Sequence, residues 1–328
     1  MQTPMRGILA MLMFLRAAVA AALVLVSTSA FAQSWPERPI RVLVGFSPGS
    51  TLDVMARALA PPLSKQLGQS VVVENKSGGS GTLALTLLAN AAPDGYTLEL
   101  TGTGPMSISP FVQPFDLPPL QPISLVARGP MALVVQASLP INTVAELIAA
   151  AKAKPDSLFY GSSGVGSTPH LAGELFAMRA GVRLTHVPYK GNLDAINDVL
   201  AGQIQITFSG MPPVLPHITA GRLRALAVAS AERNETLPSV PTMAEAGLPG
   251  AEALSHYGFL GPVGIPPQIL ARLNAEIAKA VALPEITTTF KNLGAEPFSS
   301  TPEGHAKAIA EDSAKWKGVV EEAKISIK

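Results

Sequence analysis

The chain has 328 residues, 24 basic against 23 acidic side chains, five histidines and no cysteine. Such a balance provides no basic surface to neutralise phosphates, which excludes nucleic acid as a partner. The lack of cysteine excludes thiol catalysis, thiolate metal sites and disulfide staples, so stability must come from a packed core.

Arg6 and Arg16 open the chain, and no acidic residue precedes Glu37. An apolar run from Ala17 to Val26 leads through Ser27-Thr28-Ser29 to Ala30-Phe31-Ala32. This is the layout of a secretory signal peptide cleaved after Ala32, and it predicts a periplasmic protein. The competing reading is an uncleaved anchor from Ile8 to Val26. Arg16 would then lie inside a membrane helix, where an arginine is costly. Cleavage removes those two arginines and no acid, so the mature chain is near neutral. It has no second long apolar run, so it is expected to be soluble.

Short apolar runs then alternate with helical patterns. Predicted strands are Ile40–Phe46, Val71–Glu74, Tyr96–Thr101, Ile123–Ala127, Ala132–Gln136, Leu158–Gly161, Thr185–Pro188, Ile204–Phe208, Leu223–Ala229 and Tyr257–Leu260. Several are apolar throughout, as strands covered on both faces should be, which predicts largely parallel sheets flanked by helices. A helical stripe runs through Leu52, Ala56, Leu59, Leu63 and Leu67, with Pro61-Pro62 predicting a kink or break. Thr143 with Glu146 is a capping box, opening a helix that stops before Pro155, and Thr242 with Glu245 repeats the spacing. Ile269, Leu273, Ile277 and Val281 form one apolar stripe after Pro266-Pro267. Thr301-Pro302 reads as N-cap and first helical position. No linker or repeat appears, which fits two lobes with an interleaved chain joined by short crossings.

Three stretches rich in Gly, Ser and Thr sit at strand ends, where α/β sheets bind ligands. They are Ser47-Pro48-Gly49-Ser50-Thr51-Leu52-Asp53 after Phe46, Thr101-Gly102-Thr103-Gly104, and Ser162-Ser163-Gly164-Val165-Gly166-Ser167-Thr168. Free N–H groups at a helix start and small hydroxyls make a neutral anion site, so two such loops facing one another could hold a carboxylate without an arginine. Taken singly, each loop is also explained by ordinary capping. Asp53 reads equally as a helix-start residue favoured by the dipole or as a carboxylate that orients the loop or meets a ligand. Lys190, in Tyr189-Lys190-Gly191-Asn192, is either a countercharge or a solvated loop lysine.

Enzyme motifs are weak. Gly161-Ser162-Ser163-Gly164-Val165 and Gly78-Gly79-Ser80-Gly81-Thr82 both fail the hydrolase elbow G-x-S-x-G at its last position. Gly79-Ser80-Gly81-Thr82-Leu83-Ala84 matches only a relaxed dinucleotide pattern, and no phosphate loop exists. His170, His186, His217, His256 and His305 lack the spacing of a zinc helix, so no metal and no cofactor are expected.

Many stretches in one order carry a family likeness: Trp35-Pro36-Glu37-Arg38-Pro39-Ile40-Arg41, Pro48-Gly49 with Asp53, Ala92-Pro93-Asp94-Gly95-Tyr96, Tyr160-Gly161-Ser162-Ser163-Gly164, His170-Leu171-Ala172-Gly173-Glu174 and His186-Val187-Pro188-Tyr189-Lys190-Gly191. From Trp35 onward the chain resembles the Bug-type solute receptors, the extracytoplasmic binding component of tripartite tricarboxylate transporters. The resemblance implies a type II periplasmic-binding-protein fold: two α/β lobes joined by two crossing segments, with the ligand cleft between them. The lobes would be residues 33–130 plus 254–328, and 131–253. It implies a monomer that takes up a small organic acid, performs no catalysis and hands the acid to integral membrane transporter subunits. A ligand sensor for a membrane kinase and, further off, an exported α/β hydrolase remain alternatives. The candidate ligand-binding residues are Phe46, Ser47, Gly49, Ser50, Asp53, Thr101, Thr103, Ser162, Ser163, Gly166, Ser167, Thr168, His170, Tyr189, Lys190 and Ser209. Two departures from the family pattern stand out. The family's first loop is usually richer in glycine, whereas Ser50, Thr51 and Leu52 occupy the stretch before Asp53 here, and Leu52 could make the pocket smaller or more apolar. Ser209 stands where the family often has an acidic residue, so an amino-acid ligand loses a natural ammonium partner.

Overall fold

The computed structural model describes residues 35–112, 116 and 118–325, and the expected signal peptide lies outside them. Strands β1 (Ile40–Val44), β2 (Val71–Asn75) and β3 (Thr97–Gly102) pair in parallel in the order β2-β1-β3. A 17-residue strand, β4 (Leu120–Gln136), continues from this region into a second set. Its first part pairs antiparallel with β9 (Leu254–Pro262), from Leu120↔Pro262 to Pro130↔Leu254. From Met131 onward its partners are β7 (Ile206–Gly210) and β8 (Leu223–Val228). β5 (Phe159–Ser162) is parallel to β7 and to β6 (Thr185–Pro188), and the two-residue β10 (Glu296–Pro297) pairs with β4.

Two expectations change here. Ile123–Ala127 and Ala132–Gln136 belong to one strand, because Arg128-Gly129-Pro130 stays extended while the pairing partner changes. The sheet is also mixed rather than largely parallel, since β9 runs antiparallel to both β3 and β4. A strand buried on both faces reads the same in either direction, so composition carries no polarity.

The helices are α1 (Thr51–Leu67), α2 (Thr82–Ala89), the short α3 (Ser109–Val112) after a π turn at Gly104–Ile108, α4 (Val144–Ala153), α5 (Thr168–Ala180), α6 (Asn192–Leu200), α7 (Met211–Thr219), α8 (Pro267–Val281), α9 (Pro284–Asn292) and α10 (Pro302–Ala323). Their starts follow local chemistry. Ser50, Thr143, Ser167 and Thr301 each accept a hydrogen bond from the N–H three residues on. Thr242 and Glu245 form the reciprocal box, with bonds of 2.8 and 3.1 Å, yet only a turn follows. Pro61-Pro62 do not end α1. Pro61 lies on the exposed face, so the carbonyls deprived of a donor can be hydrated.

Packing on the second half of the sheet joins Leu133, Phe176 and Phe208 with Trp316, Val319 and Val320 of α10. The other end of α10, at His305 and Ile309, lies instead against β3 and β9. One helix thus touches both sets of strands. Trp316 is fully buried, and truncating such a side chain to alanine typically costs about 3–5 kcal/mol.

Candidate ligand-binding site

Strand ends and helix starts from both sets meet at one partly open cavity. The first loop supplies Phe46, Ser50, Thr51 and Leu52; the loop before α5 supplies Ser163, Ser167, Thr168 and Pro169. The two loops singled out in the sequence therefore border the same space. Among the described residues, no Asp, Glu, Lys, Arg or His lines it.

Direct bonds tie the two sides together near the cavity. Ser80 Oγ donates to the Val165 carbonyl at 2.9 Å, and Ser109 Oγ donates to the Gly166 carbonyl at 3.4 Å. Gly81 (φ +98°) fits between Phe46 and Pro105, where a Cβ would lie 3.1 Å from the phenyl ring and 2.5 Å from the proline. Its bare backbone lets the turn at residues 78–81 press on the cavity wall.

Of the expected residues, Phe46, Ser50, Ser163, Ser167 and Thr168 line the cavity, and the others lie outside its lining. Asp53 supports the first loop from behind: it accepts from the Gly49 N–H (2.8 Å), Asn75 Nδ2 (2.9 Å) and Arg57 Nε (2.9 Å). Burial alone would raise its carboxyl, but these bonds bring it below the ordinary value. Ser47, in the first loop, lies against Gly191 at the start of α6.

A buried aromatic and histidine stack supports the second loop. His170 and His186 stack at 4.1 Å, and Tyr160 stacks on His186 at 4.9 Å. The Gly166 N–H donates to His170 Nδ1 at 3.2 Å. Ser162 Oγ lies 2.7 Å from His186 Nε2 and also accepts from the Gly164 N–H. Burial pushes His170 down to about 3, helped by His186, and pushes His186 down to about 4. This serine–histidine pair resembles half of a hydrolase site, but Ser162 is fully buried and absent from the cavity lining. Its visible role is to fix the loop.

Thr101 and Thr103 border a second, much smaller cavity with His256, His305 and Asp312. Tyr189 donates to Asp198 at 2.6 Å, and Lys190 is exposed. Ser209 accepts from Asn192 Nδ2 at 2.7 Å and donates to the Gly210 carbonyl, so it orients a lining residue rather than lining the cavity.

Sequence reasoning missed Met131, Leu193, Pro213, Ser255 and Tyr257, all of which line the cavity. Gly104 and Asn192 lie inside stretches already singled out, and Gly210 directly follows Ser209. Tyr257 and Ser255 face the cavity because β9 pairs with β3 at Gly102↔Tyr257. Burial pushes the Tyr257 hydroxyl up to about 12, so it is a neutral donor at physiological pH. Among the described residues no helix is long and apolar enough to cross a membrane.

Comparison with known proteins places these features in a family. The profile of the tripartite tricarboxylate transporter family receptor matches residues 55–325. Protein BugT of Bordetella pertussis is 38% identical over 302 residues, covering 90% of this chain and 93% of BugT. Among solved structures, R. palustris Rpa4515 with adipate superposes with a TM-score of 0.87 at 36% identity, covering 89% of this chain and all of that one. MatC from Rhodopseudomonas palustris with bound malate gives 0.81 at 30% identity, covering 87% of this chain and 100% of that one.

Proposed function

This chain belongs to the tripartite tricarboxylate transporter receptor family, and on that premise we propose that its neutral cavity captures a small organic carboxylate outside the cytoplasmic membrane and that the protein delivers it to integral membrane subunits. The observation that carries the reading is the convergence of the Ser50–Leu52 and Ser163–Thr168 segments on one space that, among the described residues, no ionised side chain lines. Helix-start N–H groups and hydroxyls stabilise an anion there without a cation. Relatives solved with adipate and malate support a carboxylate as the class of ligand.

The chain carries out no turnover in this reading. It works as a monomer whose lobes, residues 33–130 plus 254–328 and residues 131–253, close on the ligand. Contacts that span the two sides, such as Ser80 to Val165, favour the state in which they form. A signal peptide cleaved after Ala32 directs export. Native mass spectrometry of freshly purified periplasmic protein tests the whole reading. The expected result is a monomer beginning at Gln33 that retains one small organic acid. Hydrolysis of a general ester substrate, or a protein that neither retains nor binds any organic acid, would overturn it.

A further inference from the structure

Four helices turn their N-terminal ends toward the cavity: α1 through Ser50–Leu52, α5 through Ser167–Pro169, α6 through Asn192 and Leu193, and α7 through Gly210 and Pro213. A helix start attracts negative charge through its unbonded N–H groups and its dipole. Three of the four are poor seats for an incoming anion. α1 already carries Asp53 in its first turn, where the carboxylate accepts from the Gly49 N–H. α6 likewise carries Asp194. α7 begins Met211-Pro212-Pro213, and neither proline has an N–H.

α5 differs, with no acidic residue in its first turn. Pro169 lacks an N–H and the His170 N–H is taken by Ser167 Oγ, so the Thr168 N–H is its available donor. Independent evidence for a ligand comes from two side chains at this end. The hydroxyls of Ser163 and Thr168, residues only 5% and 6% exposed, face the cavity and make no hydrogen bond among the described residues. Gly104 lies opposite, where a Cβ would sit 3.1 Å from Thr168 N and 3.2 Å from Thr168 Oγ1. The starts of the other three helices present Leu52, Leu193 and Pro213 to the same space.

We propose that the ligand is a monocarboxylate with an apolar body. Its carboxylate is held at the start of α5 by the Thr168 N–H and the two hydroxyls, and its hydrocarbon lies against Leu52, Leu193 and Pro213. A second carboxylate would leave water without a cation in the lining, which is costly. The inference rests on the reading of this cavity as the carboxylate site, and it separates the chain from the relatives solved with adipate and malate, both dicarboxylates.

Calorimetry on the mature protein, stripped of retained ligand, with matched acids provides the test: hexanoate against adipate, octanoate against suberate, 4-methylbenzoate against terephthalate. In the tightest-binding pair the monocarboxylate is expected to bind at least about tenfold more tightly. Equal or tighter binding of the dicarboxylate overturns the inference and leaves the carboxylate-receptor reading standing. Binding by no acid in any pair removes both. Gly104→Ala should weaken the preferred acid about tenfold, and Thr168→Val about fivefold. Should Gly104→Ala not fold, Thr168→Val decides, and a folded Thr168→Val with unchanged affinity overturns the proposed seat.

Discussion

His256 Nδ1 and an Asp312 carboxylate oxygen meet at 2.9 Å, and Thr103 Oγ donates to that same oxygen at 2.7 Å while accepting from the His256 N–H at 3.0 Å. Asp312 of α10 thereby joins the end of β3 to the start of β9. The neighbouring residues Gly102, Ser255 and Tyr257 line the cavity. Asp312→Ala would leave two donors without their acceptor, at a cost of about 2–3 kcal/mol. Urea unfolding should show that loss, and calorimetry should show weaker carboxylate binding. A variant as stable as the parent would remove the triad from the account of the fold.

The Ser80–Val165 bond spans the two sides of the cavity and uses a residue with φ +55°, a left-handed conformation that costs a non-glycine residue about 1–2 kcal/mol. Ser80→Ala keeps that strain and loses the bond. Ligand should then dissociate about three- to tenfold faster, following the roughly 1 kcal/mol of a single hydrogen bond. Ser80→Gly loses the same bond but relieves the strain, so it should release ligand as fast as Ser80→Ala while unfolding at higher denaturant. Stopped-flow release and urea melts separate the two effects. Unchanged release in both variants would mean that the bond does not stabilise the liganded state.

The features legible in the sequence are those set by neighbours a few residues apart. Ser50, Thr143, Ser167 and Thr301 cap helices through bonds to the third residue on, and the strand-to-helix loops at Phe46–Asp53 and Ser162–Thr168 announce themselves in Gly, Ser and Thr. Features that depend on pairing partners were not legible. Tyr257 and Ser255 reach the cavity through antiparallel pairing of β9 with β3, some 150 residues earlier in the chain, and a strand buried along most of its length does not declare its direction. Thr103 and Asp312 are 209 residues apart. Pro61-Pro62 do not break α1, and local sequence does not reveal that Pro61 faces solvent. The singled-out residues outside the lining sit mainly one layer back, where Asp53, Ser162, His170 and Ser209 hold the loops.

Buried histidines should make the protein acid-sensitive. His170, His186 and His305 are lowered by burial to about 3, about 4 and about 4. Unfolded histidines take up protons near pH 6.5, so between about pH 6.5 and 4 the unfolded chain binds more protons and stability falls with falling pH. Each group contributes up to about 1.4 kcal/mol per pH unit. Glu99 and Glu174, raised by burial, act in the opposite sense. The share of one histidine is therefore read as a difference: His305→Gln should flatten the stability curve between pH 6.5 and 4 relative to the parent. Parallel curves would mean that His305 protonates equally well in both states.

Asp53 titrates in a lower window. Burial opposes its ionisation, but bonds from Arg57, Gly49 and Asn75 hold its carboxyl below the usual value. Its contribution is complete above the unfolded value of about 4 and is lost as pH falls through the folded value. Asp53→Asn places an amide against three donors and should cost about 2 kcal/mol at neutral pH. That difference should shrink steadily below about pH 4, where the parent carboxylate also takes up a proton. Because the carboxylate does not line the cavity, the substitution should weaken carboxylate binding by less than about tenfold, acting through the Gly49 turn. Urea titrations at several pH values, with calorimetry at neutral pH, measure both. A collapse of affinity with stability untouched would put Asp53 in direct contact with the ligand instead.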